Sequence, residues 1–272
     1  MSQVLVVTSG KGGVGKTTST AALGAALAMN GSRVAVVDFD VGLRNLDLVM
    51  GAERRVVYDL INVVQGEAKL QQALIRDKRL DTLYLLPASQ TRDKDALTSE
   101  GVARVMQDLR ESFDWIVCDS PAGIERGALL AMRHADVAVV VTNPEVSSVR
   151  DSDRIIGMLD AKTEKAERGE YMEKHLLLTR YDAARAERGQ MLKVDDVLEI
   201  LSIPLLGIIP ESEAVLNASN VGCPVTLTAA DSAPARAYID AARRLEGDVI
   251  PMMIPADKRI GLMGKLFGRR AA

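Results

Sequence analysis

The sequence predicts an α/β fold, a mostly parallel sheet with helices on both faces. Three observations carry that expectation. Short apolar runs alternate with helical stretches along most of the chain, the pattern of strand–helix crossovers. Several runs are β-branched and continuously apolar, as strands buried on both faces must be. The first run passes through a glycine-rich turn straight into an Ala- and Leu-rich stretch.

Taken in order, Val4–Thr8 reads as the first strand. Lys16–Asn30 follows as a helix that stops at Gly31, and Arg33–Asp38 is the next strand. Further strands are expected at Leu83–Leu86, Trp115–Cys118, Val137–Val141, Leu176–Thr179 and Leu205–Ile209. Helices are expected at Glu100–Glu111, Val146–Leu159, Val194–Leu201 and Ala233–Glu246. The ion-rich Lys162–Lys174 segment reads as a solvated helix end and loop. No Ser/Pro/Gly linker divides the pattern, so residues 1–255 are expected to form one domain, with 256–272 a separate tail.

Composition narrows the class. The chain has 272 residues, 47% hydrophobic and 26% charged, with a net charge of −3. That supports a sizeable core and gives no bulk affinity for a polyanion. Cys118 and Cys223 stand far apart, as do His134 and His175, so neither a disulfide framework nor a metal cluster is expected. No signal-peptide pattern opens the chain, and no apolar run nears the roughly 20 residues of a membrane span. The expectation is a protein of the cytoplasm or of the membrane surface facing it.

Gly10–Thr17, GKGGVGKT, fits G-x-x-x-x-G-K-[ST] between a strand and a helix, the context that phosphate loop requires. Gly10, Gly12, Gly13, Val14 and Gly15 would wrap backbone amides around phosphates, and the helix N-terminus would favour their charge. Lys16 would neutralise β- and γ-phosphate oxygens; the Thr17 hydroxyl would hold Mg²⁺. The architecture is thus a P-loop NTPase. Asp119 ends an apolar run, where a carboxylate acting on Mg²⁺ belongs, while Asp38 and Asp40 close the preceding strand pattern. An Asp at a strand end is also a common turn residue. Gly123, in Ser120-Pro-Ala-Gly123, would let its amide meet a γ-phosphate.

The loop carries a second lysine, Lys11. Before the backbone curls round the phosphates, its side chain would point away from its own nucleotide. It is either a solvated loop lysine or a cation reaching a nucleotide on a facing subunit. KGGVGKTT resembles the deviant Walker A motif of the ParA/MinD-type ATPases, and in that family the extra lysine, here Lys11, crosses an ATP-sandwich dimer. The similarity continues through DFDVGLRNLDLVMG (38–51), ERRVVYDLINVVQG (53–66), LPASQTRDKDALT (86–98), CDSPAGIE (118–125), TNPEVSSVRDSDRI (142–155) and LLLTRYD (176–182). These blocks, spanning nearly the whole chain, resemble the members of that family that help place the bacterial division site.

The resemblance implies an ATP-dependent homodimer, with Lys16, Thr17 and Thr18 on phosphate and Mg²⁺ and Asp40 near the attacking water. It gives Asp119 the Walker B role, and it implies that Asp151 and its neighbours form a surface that partner proteins read. Thr179-Arg180-Tyr181-Asp182 loosely resembles a guanine motif, with Arg in place of Lys; the family resemblance implies adenine instead, with Arg180 and Pro210 near the ring. Implied partners are a septum inhibitor, MinC, and a topological factor, MinE.

The stretch 258–270 carries five positive charges and no negative one, leaving −8 for the rest of the chain. On a helical wheel Ile260, Met263 and Phe267 fall together with Leu266 at the margin, opposite Lys258, Lys265 and Arg269, while Leu262 spoils the pattern. Gly261, Gly264 and Gly268 weaken a helix in water by about 1 kcal/mol each. Such a segment reads as binding anionic lipid; a frayed end or a nucleic-acid tail are the other readings. The family's membrane-targeting tail is similar. A DNA-partitioning ATPase of the same family is the rival function, but it needs a basic face, and only the tail is strongly basic. No specific nucleic acid is therefore expected.

Overall fold

The computed structural model describes residues 2–90, 92 and 94–255; the expectations placed on 256–272 lie outside the described residues. Eight strands form one sheet: β1 (Gln3–Thr8), β2 (Val34–Asp38), β3 (Ile75–Arg76), β4 (Leu83–Leu86), β5 (Trp115–Asp119), β6 (Val137–Thr142), β7 (Glu173–Tyr181) and β8 (Leu205–Pro210). Their spatial order is β3-β4-β2-β5-β1-β6-β7-β8. All neighbours run parallel except the edge pair β3–β4. The two-residue β3 carried no readable pattern, and β7 begins inside the segment expected to be a loop.

Both faces of the sheet are buried, which is why its strands read as unbroken apolar runs. Alternate residues of β1 separate cleanly. Leu5 and Val7 pack under the Lys16–Met29 and Ala233–Leu245 helices. Val4 and Val6 pack with Val102, Val105, Val149, Ile155 and Val197, from the helices Ser99–Arg110, Val146–Lys162 and Val194–Leu201. The amphipathic Arg126–Arg133 helix, which the sequence reading passed over, buries Leu130 and Met132 on that second face.

The chain leaves β1 for β2, returns through β5 between them, then crosses to β6 on the other side of β1. A crevice outside the C-terminal strand ends is expected at such a reversal. There the register aligns Val7, Asp119 and Asp38 across three adjacent strands.

Candidate nucleotide site

The phosphate loop occupies that crevice. Gly15 takes φ 93° and is the N-cap of the Lys16–Met29 helix, a conformation that a Cβ would strain. No side chain caps this helix and its first turn holds no acid, so its leading amides are left for an anion. Gly10 is required for a different reason: a Cβ there would collide with the backbone of Asp151. The start of the loop is thus seated on the Val146–Lys162 helix. On the far side, the Thr179 hydroxyl donates to the carbonyls of Val14 (2.6 Å) and Thr142 (3.1 Å), tying β7 to the loop.

Asp38 and Asp119 lie side by side at the ends of β2 and β5, both buried. Asp38 accepts the amides of Asp40 (2.8 Å) and Leu46 (3.3 Å). Burial, then the Asp119 charge, hold its carboxyl well above the usual carboxylate range. Asp119 Oδ1 accepts the Thr20 hydroxyl at 2.9 Å and lies 3.7 Å from Lys16 Nζ. Burial raises its pKa too, opposed by the Lys16 charge and by hydrogen bonds from Thr17 and Thr20. Its Oδ2 is buried and accepts no hydrogen bond.

A carboxylate oxygen left unmatched beside the Thr17 hydroxyl, among more acids than bases, fits a divalent cation. Among the described residues no group of three His, Cys, Asp or Glu could hold an ion alone. The donor set therefore suits Mg²⁺ completed by phosphate oxygens and water. Thr20, one helical turn beyond Lys16, was missed by motif matching, although helical period alone puts the two on one face.

Lys11 stands at the rim. Its Nζ lies 3.1 Å from both Glu145 Oε2 and Ser147 Oγ, at the start of the Val146–Lys162 helix. Asp151, one turn further along that helix, is half-buried. Gly123 has φ 84°, and its amide donates to the Ser9 carbonyl at 3.0 Å. In this structure that amide is committed to the end of β1, and meeting a γ-phosphate requires that bond to break. Arg180 is exposed with φ 53°, and Pro210 pairs with Tyr181, so both sit at the ends of β7 and β8, next to Thr179 and the loop.

Residues 5–225 match the CobQ/CobB/MinD/ParA nucleotide binding domain. The chain is 59% identical over 270 residues to the septum site-determining protein MinD of Escherichia coli K12, covering 98% of this chain and 100% of that protein. Its fold matches MinD in the MinC:MinD cell division protein complex of Aquifex aeolicus, with a TM-score of 0.84 and 41% identity over 94% of this chain and 100% of that one. It also matches the MinD of Pyrococcus horikoshii complexed with Mg-ADP, with a TM-score of 0.79 and 30% identity over 96% and 98% of the two chains. The phosphate loop, its buried acids and this full-length likeness agree: the chain belongs to the MinD septum site-determining proteins of the CobQ/CobB/MinD/ParA nucleotide-binding family.

Proposed function

We propose that this cell-division ATPase binds Mg-ATP, dimerises face to face on it, attaches to the cytoplasmic face of the membrane through its C-terminal tail, and so helps place the division site. The carrying observation is the contrast within one loop: Lys16 is buried in the acidic cluster, whereas Lys11 is exposed at the rim on an exchangeable partner.

In this reading the loop amides and Lys16 hold the phosphates, and Thr17 with Asp119 would hold Mg²⁺. Held there, Mg²⁺ would supply positive charge against the charge that develops on the transferred phosphoryl group. Asp40, its amide tethered to Asp38, orients the attacking water. Lys11 exchanges Glu145 for the nucleotide of the facing subunit, supplying a cation in trans. Arg180 and Pro210 flank the adenine. Because Gly10 rests on Asp151, formation of the sandwich is felt by the Val146–Lys162 helix, the surface offered to partners. The relative in the Aquifex complex is assembled with MinC; recruitment of that inhibitor, and stimulation of hydrolysis by MinE, belong to the same proposal. Among the described residues no helix is long and apolar enough to cross a membrane, so attachment would be peripheral.

The test is co-sedimentation with anionic liposomes in ATP and in ADP, for the full chain and for one ending at Asp257, beside a DNA-retention assay. ATP-dependent pelleting that truncation abolishes is the expected result. Pelleting indifferent to nucleotide, or DNA retention without lipid binding, overturns the reading in favour of a partitioning ATPase.

A further inference from the structure

Between Asp248 and Asp257 the chain reads VIPMMIPA, eight uncharged residues followed by Asp257 and then the basic stretch that starts at Lys258. Three of their side chains are strongly exposed: Val249 at 101%, Met253 at 75% and Ile254 at 57%. Pro251 and Pro255 interrupt any regular helix through the segment. It is nonetheless fastened to the body. Arg244, in the last turn of the Ala233–Leu245 helix, donates from Nε to the Ile250 carbonyl (3.1 Å) and from Nη2 to that of Pro251 (2.9 Å). Its Nη1 donates to the Leu206 carbonyl in β8 (2.8 Å). One rigid guanidinium thus holds the Ile250–Pro251 backbone against the sheet, with the exposed Val249 on one side of it and the exposed Met253 and Ile254 just beyond it.

We propose that Val249, Met253 and Ile254 form a preordered lipid-contact surface that enters the interfacial layer of an anionic bilayer, with Arg244 as its positioning residue. The proposal rests on the membrane reading above and deepens it. Continuity supports it. Only Ala256 and Asp257 separate Pro255 from Lys258, the first of five cations, so the exposed apolar residues and the basic stretch are neighbours in the chain. A tail lying on a bilayer leaves Met253 and Ile254 within reach of the head groups. Charge supports it as well, because apolar side chains beside a run of cations match an anionic interface. Preorganisation is the third argument. Ordering a flexible tail opposes its own binding, whereas apolar groups one to three residues from an anchored backbone start with less freedom to lose. Three side chains also fall far short of the ~1,200 Å² that a stable contact between two copies buries.

The experiment uses the full chain with Met253→Trp and vesicles of phosphatidylglycerol and phosphatidylcholine carrying brominated acyl chains, in ATP and in ADP. The native tryptophan, Trp115, is 8% exposed in β5, and the unsubstituted chain sets its background. Position 253 is exposed, so the substitution leaves the fold intact. The expected result is ATP-dependent quenching of the new tryptophan. Met253→Ser/Ile254→Ser is expected to weaken vesicle affinity about tenfold. Arg244→Gln is expected to cut the quenching while ATP-dependent pelleting persists. The proposal is overturned if the chain pellets normally while Trp fluorescence is unquenched and the double serine variant binds like its parent. A blue shift without vesicles that grows with protein concentration also overturns it, by assigning the surface to a second copy. Failure of the unsubstituted chain to pellet refutes the membrane reading itself, and this surface with it.

Discussion

Two lysines five residues apart in one loop make ion pairs of opposite character. Lys11 meets Glu145 at 3.1 Å with side chains 41% and 56% exposed; Lys16 meets Asp119 at 3.7 Å with side chains 8% and 1% exposed. The shorter pair is the weaker one. In water an exposed pair is screened and contributes about 0–1 kcal/mol, so Lys11 changes partners at little cost. The buried pair sits in low dielectric, where removing one member strands the other. Burial, more than distance, decides which lysine is held in the site and which can exchange its partner.

The largest expected effect is on Lys11. Lys11→Ala should lower ATP turnover by about 10³-fold, the scale of a cation supplied in trans, while stability changes by less than about 1 kcal/mol. Steady-state hydrolysis and denaturant melts measure the two together. Loss of stability without loss of turnover would break the comparison.

Lys16→Met should cost about 3 kcal/mol of stability, because Asp38 and Asp119 then share a buried site without a cation. Adding Asp119→Asn should restore much of that loss, whereas the same cycle on Lys11 and Glu145 should show coupling under about 1 kcal/mol. Chemical denaturation of the nucleotide-free chain reads both cycles.

His134 tests an intermediate case. Its Nδ1 lies 2.9 Å from Glu164 Oε1 with side chains 9% and 37% exposed, and its Nε2 is buried without a hydrogen-bond partner. Burial, opposed by Glu164, pushes its pKa below the ordinary 6.5. A proton added at Nε2 would find no acceptor. The unfolded chain therefore binds the proton more readily than the folded one. This contribution is complete above pH 6.5 and is lost as pH falls below it. Melting temperatures at pH 7.5 and 5.5 should differ less in His134→Gln than in the unsubstituted chain; an unchanged difference would remove His134 as the cause.

The smallest effect belongs to Glu145→Gln, which should shift stability by less than about 0.5 kcal/mol. If Glu145 merely parks Lys11, ATP-dependent dimerisation measured by light scattering should persist in this variant. Abolished dimerisation would make Glu145 part of the interface itself.

Much of this architecture was legible in short windows. Leu83–Leu86 and Val194–Leu201 were placed to the residue, and the other expected strands and helices lie within a few residues of their observed ends. Each carries its own signal, an unbroken apolar run in the strands or an apolar or Ala/Leu-rich spacing in the helices. The Ile75–Arg76 strand was invisible because two residues hold no period, and its existence depends on the neighbouring β4. The Arg126–Arg133 helix was lost between a glycine-containing motif and a strand, although its apolar spacing was available.

The sequence by itself determined the α/β class and the phosphate-loop motif, and it pointed to Lys16, Thr17 and Asp119 as the groups to expect there. These are local facts: glycines that permit a tight turn, a helix that starts there, an acid at a strand end. Only the tertiary structure decided that Asp38 is buried against Asp119, that Lys11 rests on Glu145 134 residues away, and that the Gly123 amide is committed to Ser9. Those relations depend on which strands become neighbours. Strand order is fixed by burial of the whole sheet between two layers of helices, and no window of adjacent residues contains it.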